Sequence, residues 1–350
     1  MSGFQIVLAF LAALQGREES TLQKMEREIT SIAEKVRPWL VRVAVTREAA
    51  EAAEPIQFSG VVYSKDGYVV TDAGGIEAAS EIRVSAGERA FAARHVASDR
   101  RTGVAVLKVQ ADDLSPALFA ENPCKPGAWV IALGNAYGMN ASVSVGTVGG
   151  VGRAVAVGGR KYEDMIQMSA AVHPGDCGGI VADSSGKLVG VIHSVCPADS
   201  AEKDGALGLL QLFGKDVPSL EPRGPSPISF ATPAESVRFA ADRIIRHRRM
   251  VRGWLGVAVR PPDEATRAQL GLPAGAGAEI VRVEPDSPAR RARLLSRDIL
   301  LEFEGEPVRD IDALRKRVAA YEQPAKARVA LLRHGERREV DVQIELDPQK

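Results

Sequence analysis

Short apolar and alternating runs separated by turns dominate the chain from residue 40 to residue 168. Hydrophobic positions recur every second residue or form brief unbroken runs, which is typical of β-strands. The Asp66-Gly67 pair between two of these runs is a hairpin signal. Strands and helices do not alternate regularly, so the pattern predicts an all-β barrel or sandwich. The predicted strands are residues 40–46, 59–63, 68–71, 81–85, 90–97, 104–109, 129–133, 142–148, 161–168 and, further along the chain, 187–195.

Two other segments have the hydrophobic spacing of helices. The first begins after Ser20, a residue type favoured as an N-cap, and is stopped by Pro38. It is predicted to cover the β domain, and a subunit contact is the alternative. The second helix is predicted over residues 234–247, leading away from the barrel. The apolar stripe of the first helix consists of Leu22, Met25, Ile29, Ile32 and Val36.

The composition is that of an ordinary globular protein and gives no sign of a nucleic-acid-binding protein. The length of 350 residues predicts two or three domains, and 45% hydrophobic with 26% charged residues is ordinary for a globular chain. Lys plus Arg and Asp plus Glu both number 45, so no overall charge indicates nucleic-acid binding. The basic cluster at residues 243–252 is interpreted as a solvated helix end. No cofactor and no metal site are predicted.

The three cysteines are Cys124, Cys177 and Cys196, and their spacing fits neither a disulfide framework nor a metal site. One pair, Cys177 with Cys196, is conceivable in an exported protein, and two separate thiols are the alternative. The apolar run from Phe4 to Leu14 is too short to span a bilayer. Residues 1–19 are interpreted as a signal peptide or uncleaved anchor, with a helix packed on the protein body as the alternative.

The strongest chemical motif is the segment 173–179, which reads His-Pro-Gly-Asp-Cys-Gly-Gly. Glycines in such a turn allow backbone N–H groups to converge on a developing oxyanion, and the central side chain is of a nucleophilic type. The segment resembles the Gly-Asp/Asn-Ser-Gly-Gly nucleophile loop of trypsin-like serine proteases. The resemblance implies an oxyanion loop of Gly175, Asp176 and Cys177, with Cys177 at the serine position.

Further segments resemble the HtrA (DegP-like) protease family in the family's order and spacing. The resemblance covers residues 36–346 and implies a mainly β fold. A trypsin-like double six-stranded β-barrel (residues 20–248) would be followed by an α+β PDZ domain (residues 249–348). The similar segments are residues 59–62, 66–71, 98–109, 132–138, 166–179, 228–233 and 252–257.

All three catalytic positions implied by the resemblance depart from the family pattern. Gly74 stands at the histidine position, Gly103 at the aspartate position and Cys177 at the serine position. A cysteine nucleophile needs a base, and the base needs an orienting acid; glycine supplies neither. One rescue is a relocated dyad of Cys177 with His193, which the resemblance puts on the wall of the specificity pocket. The alternative is that His193 fills the vacated space or hydrogen-bonds to the backbone.

The C-terminal region resembles a PDZ domain. Trp254, Leu255, Gly256 and Val257 fit its carboxylate-binding loop, where successive backbone N–H groups bind a peptide terminus and the next strand accepts the peptide. A PDZ fold used only as a spacer is the alternative. Arg293 stands where relatives usually have glycine. Between Cys196 and residue 227 lies a long loop with an apolar patch at residues 207–213, interpreted as a satellite core or a partner contact.

Together these features predict a catalytically inactive pseudoprotease that binds unfolded or C-terminal polypeptide segments. Its PDZ groove and degenerate cleft would act in a scaffold, chaperone or quality-control role. One alternative is an active endopeptidase that uses Cys177 with a relocated base. Another is a structural subunit that assembles with active relatives, since the family resemblance implies trimers. Export to the periplasm or cell envelope is expected, with a cytoplasmic location as the alternative. Membrane contact is expected only through an uncleaved N-terminal segment.

Overall fold

The computed structural model describes residues 19–47, 55–76, 79–157, 160–193, 228–273 and 275–348. The chain divides into two compact units, Met1–Met250 and Val251–Lys350. The predicted leader segment, Cys196 and the apolar patch at 207–213 lie outside the described residues, so the interpretations made of them stay predictions.

The first unit opens with helix α1 (Thr21–Val36), which continues into a 3-10 turn at Arg37–Trp39. Ser20 caps it as predicted, because its hydroxyl accepts from the Gln23 N–H while the Gln23 side chain accepts from the Ser20 N–H. Only the C-terminal half of the apolar stripe is buried. Leu22 is 74% exposed and Met25 40%, so the first turns of the helix do not cover the β domain.

The first barrel is closed in the order β1-β2-β3-β6-β5-β4. A short helix, α2 (Ala73–Ile76), follows the third strand and contains Gly74. Neighbouring strands of the barrel all pair in the antiparallel sense. Successive side chains of a strand point to opposite faces, so alternate residues of each strand fill the interior of the barrel. The strands are β1 (Leu40–Thr46), β2 (Ile56–Val62), β3 (Tyr68–Asp72), β4 (Glu81–Ala86), β5 (Arg89–Asp99) and β6 (Val104–Val109).

The second barrel is closed in the order β10-β11-β12-β9-β8-β7, and helix α3 (Ala234–His247) leaves its last strand. One buried cluster contains residues of both barrels together with residues of α1 and α3. The junction between the barrels is therefore part of the protein's core. The strands are β7 (Trp129–Gly134), β8 (Ser142–Val157), β9 (Arg160–Met168), β10 (Ile180–Asp183), β11 (Leu188–His193) and β12 (Ser229–Pro233).

The second unit is a seven-stranded sheet with three short helices. Its main path runs β13-β19-β18-β16-β15-β14, and β17 pairs with β16. The strands are β13 (Gly253–Trp254), β14 (Val257–Arg260), β15 (Ala278–Val283), β16 (Ile299–Phe303), β17 (Glu306–Pro307), β18 (Ala325–Arg333) and β19 (Glu336–Leu346). The helices are α4 (Glu264–Leu270), α5 (Pro288–Arg291) and α6 (Ile311–Ala319).

The predicted fold class is confirmed: the first unit is a pair of closed six-stranded barrels and the second an α+β domain. Two details differ from the sequence prediction. Strand β8 continues to Val157, beyond the predicted end at residue 148, and pairs with β9 through several register shifts. Strand β10 was not predicted. Within the described part of the chain, no helix is long and apolar enough to cross a bilayer.

Candidate functional site

The segment 173–179 forms a tight loop between β9 and β10. The Asp176 N–H donates to the His173 carbonyl at 3.0 Å, and the Gly179 N–H donates to the Asp176 carbonyl at 2.8 Å. Gly175 has a φ of 99° and Gly178 a φ of 82°, a region that favours glycine. The glycines of the motif are therefore required by the path of the backbone, whatever the loop's chemistry.

Ser59 of β2 anchors this loop to the first barrel. Its N–H donates to the Cys177 carbonyl at 2.9 Å, and its hydroxyl donates to the Gly175 carbonyl at 2.8 Å. The Pro174 carbonyl accepts from the Tyr137 N–H at 2.6 Å. In a trans peptide the C=O and N–H groups point in opposite directions, so the Gly175 N–H points away from Tyr137. These contacts fix the orientation of the peptide groups on both sides of Gly175.

Cys177 lies at the junction of the two barrels. Its side chain is buried, with 6% of the residue exposed, and it belongs to the same apolar cluster as Phe58 and Ala73 of the first barrel. Next to it, a Cβ on Gly178 would lie 3.0 Å from the backbone N of Asp72. Gly178, the residue after the predicted nucleophile, is therefore packed against the end of strand β3.

Gly74, the predicted histidine position, is exposed and lies in α2 directly after β3. Its N–H donates to Oδ1 of Asp72 at 2.8 Å. A Cβ at this position would meet that same oxygen at 3.0 Å and no other described atom within 4 Å. Among the described residues outside its own helix, that carboxylate oxygen is thus the one close neighbour of a side chain placed at Gly74.

Asp72 also pairs with His193. Oδ2 of Asp72 lies against Nδ1 of His193, and the two side chains are 9% and 4% exposed. The ring of Tyr162 packs on the imidazole with the ring centroids 4.1 Å apart. Nε2 of His193 is buried and makes no hydrogen bond to any described residue, Cys177 included. The described contacts of His193 thus join β11 of the second barrel to β3 of the first.

Gly103, the predicted aspartate position, lies under the same imidazole. Its φ is 71°, and a Cβ there would lie 2.7 Å from Cε1 and 2.9 Å from Nδ1 of His193. The turn is held by Asp99, whose Oδ2 accepts from the Thr102 hydroxyl at 2.7 Å. The Gly103 carbonyl accepts from the Ala73 N–H at 2.8 Å. A side chain at position 103 would therefore collide with His193.

Asp176 and His173 shape the loop on the side facing the second barrel. Oδ2 of Asp176 accepts from the His173 N–H at 2.8 Å, and Oδ1 is buried without a described hydrogen-bond partner. Burial raises the pKa of the Asp176 carboxyl above its ordinary value, and the His173 N–H offsets part of that rise. The His173 ring stacks on Tyr137 with centroids 5.8 Å apart. Both residues line a cavity of about 380 Å³.

The structure brings Gly103 and His193 into contact and links Gly74 to His193 through Asp72, while Cys177 belongs to a buried cluster of the first barrel. The Cys177–His193 dyad stays a prediction, because the contacts of His193 described above lead to Asp72 and Tyr162. Sequence analysis missed both of those residues. The available signal for Asp72 was its acidic side chain two residues before Gly74, inside a segment already compared with the family.

The loop at residues 254–257 connects β13 to β14 in the second unit. The Gly256 carbonyl accepts from the Glu284 N–H and the Leu255 carbonyl from the Ala289 N–H, each at 2.9 Å. The N–H groups of Gly256 and Val257 belong to those same trans peptides and point the opposite way. Strand β14 is at one end of the sheet, so its outer edge has no strand partner within the described residues.

Side chains hold this loop in shape. Leu255 is buried at 4% exposure, while Trp254 at the end of β13 is partly exposed. Gly256 has a φ of 80°, and any Cβ there would collide with Ser287. A successive pair of outward N–H groups beside an open strand edge is the arrangement that binds a terminal carboxylate.

The second unit accommodates Arg293 at the position where relatives usually have glycine. Arg293 adopts a φ of 57°, and its carbonyl accepts from Nη2 of Arg333 at 2.8 Å. The same guanidinium pairs with the buried Asp298 at 2.6 Å. The turn therefore keeps the conformation that glycine favours, held by a side chain from β18.

Comparison with known proteins agrees with this architecture. The trypsin-like peptidase domain family matches residues 58–191, and the PDZ domain family matches residues 253–344. The solved structure of the HtrA-type protease AlgW with tripeptide superposes with a TM-score of 0.76 at 27% identity, covering 92% of this chain and 98% of that one. The chain is a member of the HtrA family.

Curated HtrA relatives carry the name probable periplasmic serine endoprotease DegP-like. The protein of Marinomonas sp. (strain MWYL1) is 31% identical over 292 residues, which cover 83% of this chain and 57% of the relative. That of Halomonas elongata is 31% identical, covering 82% of this chain and 56% of the relative. This HtrA chain thus spans somewhat more than half the length of these relatives. AlgW with decapeptide also superposes, with a TM-score of 0.70 at 25% identity, covering 92% of this chain and 99% of that one.

Proposed function

We propose that this HtrA-family protein is a pseudoprotease that binds exposed or C-terminal segments of other polypeptides without cutting them. The observation that carries the proposal is the position of His193, whose ring fills the space above Gly103. No side chain stands at Gly74, where the family resemblance puts the base. A nucleophile without a base loses several orders of magnitude in rate.

The main binding site in this proposal is the PDZ groove. The outward N–H groups of Gly256 and Val257 would bind the terminal carboxylate, and the open edge of β14 would pair with the peptide as an added strand. Two solved relatives are described as complexes with a tripeptide and a decapeptide, which supports polypeptide binding by this chain.

A second contact would be made in the cleft of the first unit. The cavity beside the loop 173–179 is lined mainly by small and apolar residues, among them Ala132, Ala171 and Ile192. Tyr137 and Met139 on its lining are 67% and 58% exposed. An apolar side chain of a bound polypeptide would gain about 1.5–3 kcal/mol by burial there. The cleft would thus bind substrate-like segments although it does not cut them.

Location and assembly are further parts of the proposal, and the names of the relatives support the location. Their names describe periplasmic proteins, so we place this chain in the periplasm, in a scaffold, chaperone or quality-control role. Assembly as a homotrimer or together with active relatives belongs to the same proposal. Sedimentation of the purified chain alone, and mixed with an active relative, would measure both states.

Proteolysis of casein by the wild type and by Cys177→Ala, under reducing conditions, tests the catalytic half of the proposal. We expect no cleavage by either protein. Cleavage by the wild type that Cys177→Ala abolishes would show the pseudoprotease proposal to be wrong.

Peptide binding is tested by fluorescence anisotropy with one apolar peptide in two forms, ending in a free carboxylate or in an amide. We expect tighter binding of the carboxylate form, and loss of that preference in Gly256→Ala. Gly305→Ala is the matched control, because Gly305 also has a positive φ of 76° but its Cβ would meet nothing within 4 Å. Equal affinity for both peptides would contradict carboxylate capture.

One observation favours the alternative of an active endopeptidase. Asp72 on Nδ1 of His193 leaves Nε2 as the nitrogen that would accept a proton, as in a triad with an orienting acid. If casein is cut, His193→Ala decides whether this imidazole is the base. Retained cleavage in His193→Ala would exclude it.

A further inference from the structure

Strand β14 has two different faces along its open edge. Val257 and Val259 pack on the apolar core of the second unit. Ala258 and Arg260 therefore lie on the opposite face, because successive side chains of a strand alternate. Arg260 is the last residue of the strand and is exposed. A peptide added to this edge would thus meet an apolar face and a face that carries a guanidinium.

The guanidinium of Arg260 is held by the neighbouring strand. Its Nε donates to Oε2 of Glu279 at 2.9 Å and its Nη2 donates to Oε1 at 3.2 Å, across the β14–β15 pair. The side chain of Glu279 is only 12% exposed, whereas that of Arg260 is 58% exposed. Two parallel bonds fix the plane of the guanidinium, and Nη1 makes no hydrogen bond to a described residue. Arg260 is thus anchored and still has donors for a second carboxylate.

One further carboxylate acts on Arg260 from the segment that follows β14. Asp263 interacts with the guanidinium electrostatically, but its Oδ1 is engaged as the N-cap of α4, where it accepts from the Thr266 N–H at 2.7 Å. With Glu279 and Asp263 nearby, Arg260 exerts little long-range attraction on an acidic ligand. Any selectivity at this position therefore depends on direct hydrogen bonds from Nη1, and so on the register of the bound peptide.

The carboxylate-binding loop would set that register. The N–H groups of Gly256 and Val257 stand at the start of β14, so a peptide bound there by its terminal carboxylate runs back along the edge in the antiparallel sense. Its last residue pairs with Val257, and one-to-one pairing puts the third residue before the last opposite Arg260. Directly opposed residues share a face and have Cβ atoms about 4.5–5.5 Å apart. The side chain of that peptide residue therefore comes within reach of the guanidinium.

We propose that the PDZ groove selects polypeptides that carry aspartate or glutamate three residues before a C-terminal carboxylate. Arg260 is the residue that determines this specificity, and Glu279 positions its guanidinium. The inference rests on the proposed capture of C-terminal segments and narrows the ligand class to acidic C-terminal tails. Glutamine at the same place would accept a hydrogen bond without bringing a charge, and lysine would set like charges against each other.

Fluorescence anisotropy with four versions of one apolar peptide, labelled at the N-terminus and ending in a free carboxylate, tests the inference. Three versions carry glutamate, glutamine or lysine three residues before the last one. At low ionic strength we expect glutamate to bind about threefold tighter than glutamine and about tenfold tighter than lysine, as exposed cross-strand charge pairs have modest energies. High salt should reduce this preference. The fourth version carries glutamate two residues before the last one, on the other face, and should bind no tighter than the glutamine version.

Variants of the full chain identify the residue responsible. Arg260→Met should abolish the preference among the glutamate, glutamine and lysine versions, with circular dichroism as the check of folding. Arg337→Met is the matched control and should keep the preference. The side chain of Arg337 is 52% exposed and pairs with Glu302, but it lies on β19, which β18, β16 and β15 separate from β14.

A charge exchange covers the case in which Arg260→Met leaves Glu279 unpaired and the domain unstable. Arg260→Glu/Glu279→Arg keeps opposite charges on the same two strands and reverses the charge that faces the peptide. This variant should prefer the lysine version over the glutamate version. An unchanged preference for glutamate in the exchanged protein would exclude Arg260 as the determinant.

Equal binding of the glutamate and glutamine versions by the wild type at low salt would overturn the inference. Equal gains from glutamate at both peptide positions would also overturn it, because the contact would then not depend on register. The glutamine version is measured in parallel with an amidated C-terminus. A retained preference for the carboxylate without a preference for glutamate sinks this inference alone. Loss of the carboxylate preference in the wild type sinks the capture of C-terminal segments as well.

Discussion

Replacement of Gly103 by alanine measures how far His193 occupies the position of the missing acid. The backbone at Gly103 has a φ of 71°, which costs a residue with a Cβ about 1–2 kcal/mol. The new methyl group would also lie 2.7 Å from Cε1 of His193. Overpacking of this kind in a buried site costs about 1–3 kcal/mol. Gly103→Ala should therefore destabilise the first unit by about 2–5 kcal/mol.

The two contributions separate in a double-mutant cycle with His193→Ala. Without the imidazole only the backbone cost remains, so Gly103→Ala should cost about 1–2 kcal/mol in that background, a coupling of about 1–3 kcal/mol. The loss of the Asp72 pair is common to both members of that comparison and cancels. Equal costs in the two backgrounds would refute the claim that His193 fills this space.

Urea unfolding of the full chain is the assay, with the fluorescence of Trp39 and Trp129, both in the first unit, as the probe. Trp254 is replaced by Phe throughout, because it belongs to the second unit. The same cycle bears on restoring the triad. An aspartate at position 103 would have to adopt the strained left-handed backbone and push His193 aside. Reversion of the three triad positions should therefore fail to restore cleavage unless His193 is also replaced by a smaller residue.

Three further predictions concern charge and backbone strain. Asp176→Asn should remove one contribution to the pH dependence of stability. Burial raises the pKa of Asp176 in the folded state, so the wild type should lose stability relative to the variant as pH rises from about 4 through that pKa. Thermal midpoints of both proteins between pH 4 and 8 would show this, and parallel curves would contradict it. Arg333→Met should cost the second unit about 3–5 kcal/mol because it leaves the carboxylate of Asp298 buried and unpaired, measured by urea unfolding followed at Trp254. Arg293→Gly should raise stability by about 0.5 kcal/mol, as relief of the left-handed strain exceeds the entropy added to the unfolded chain; a lower midpoint in the same assay would exclude this.

Much of the fold can be predicted from local sequence patterns. Two-residue periodicity predicts most barrel strands, and Ser20 and Pro38 bound the first helix within a residue or two, because caps and strand patterns depend on near neighbours in the chain. Strand β8 extends further than its alternation suggested, since a long bulged hairpin with β9 supports residues whose own pattern is weak.

The candidate site also has a part that local sequence determines and a part that depends on tertiary packing. The sequence alone determined that the loop 173–179 carries a cysteine between glycines and that two other expected catalytic positions are glycine, because these are matters of residue type within short segments. Only the tertiary structure decided what occupies the vacated space. Asp72 and His193 come from different barrels, and their pairing depends on the closure of each barrel and on the packing between them. A buried carboxylate and an imidazole remain stable there because each offsets the other's loss of water, and no pattern along the chain records such a long-range pairing.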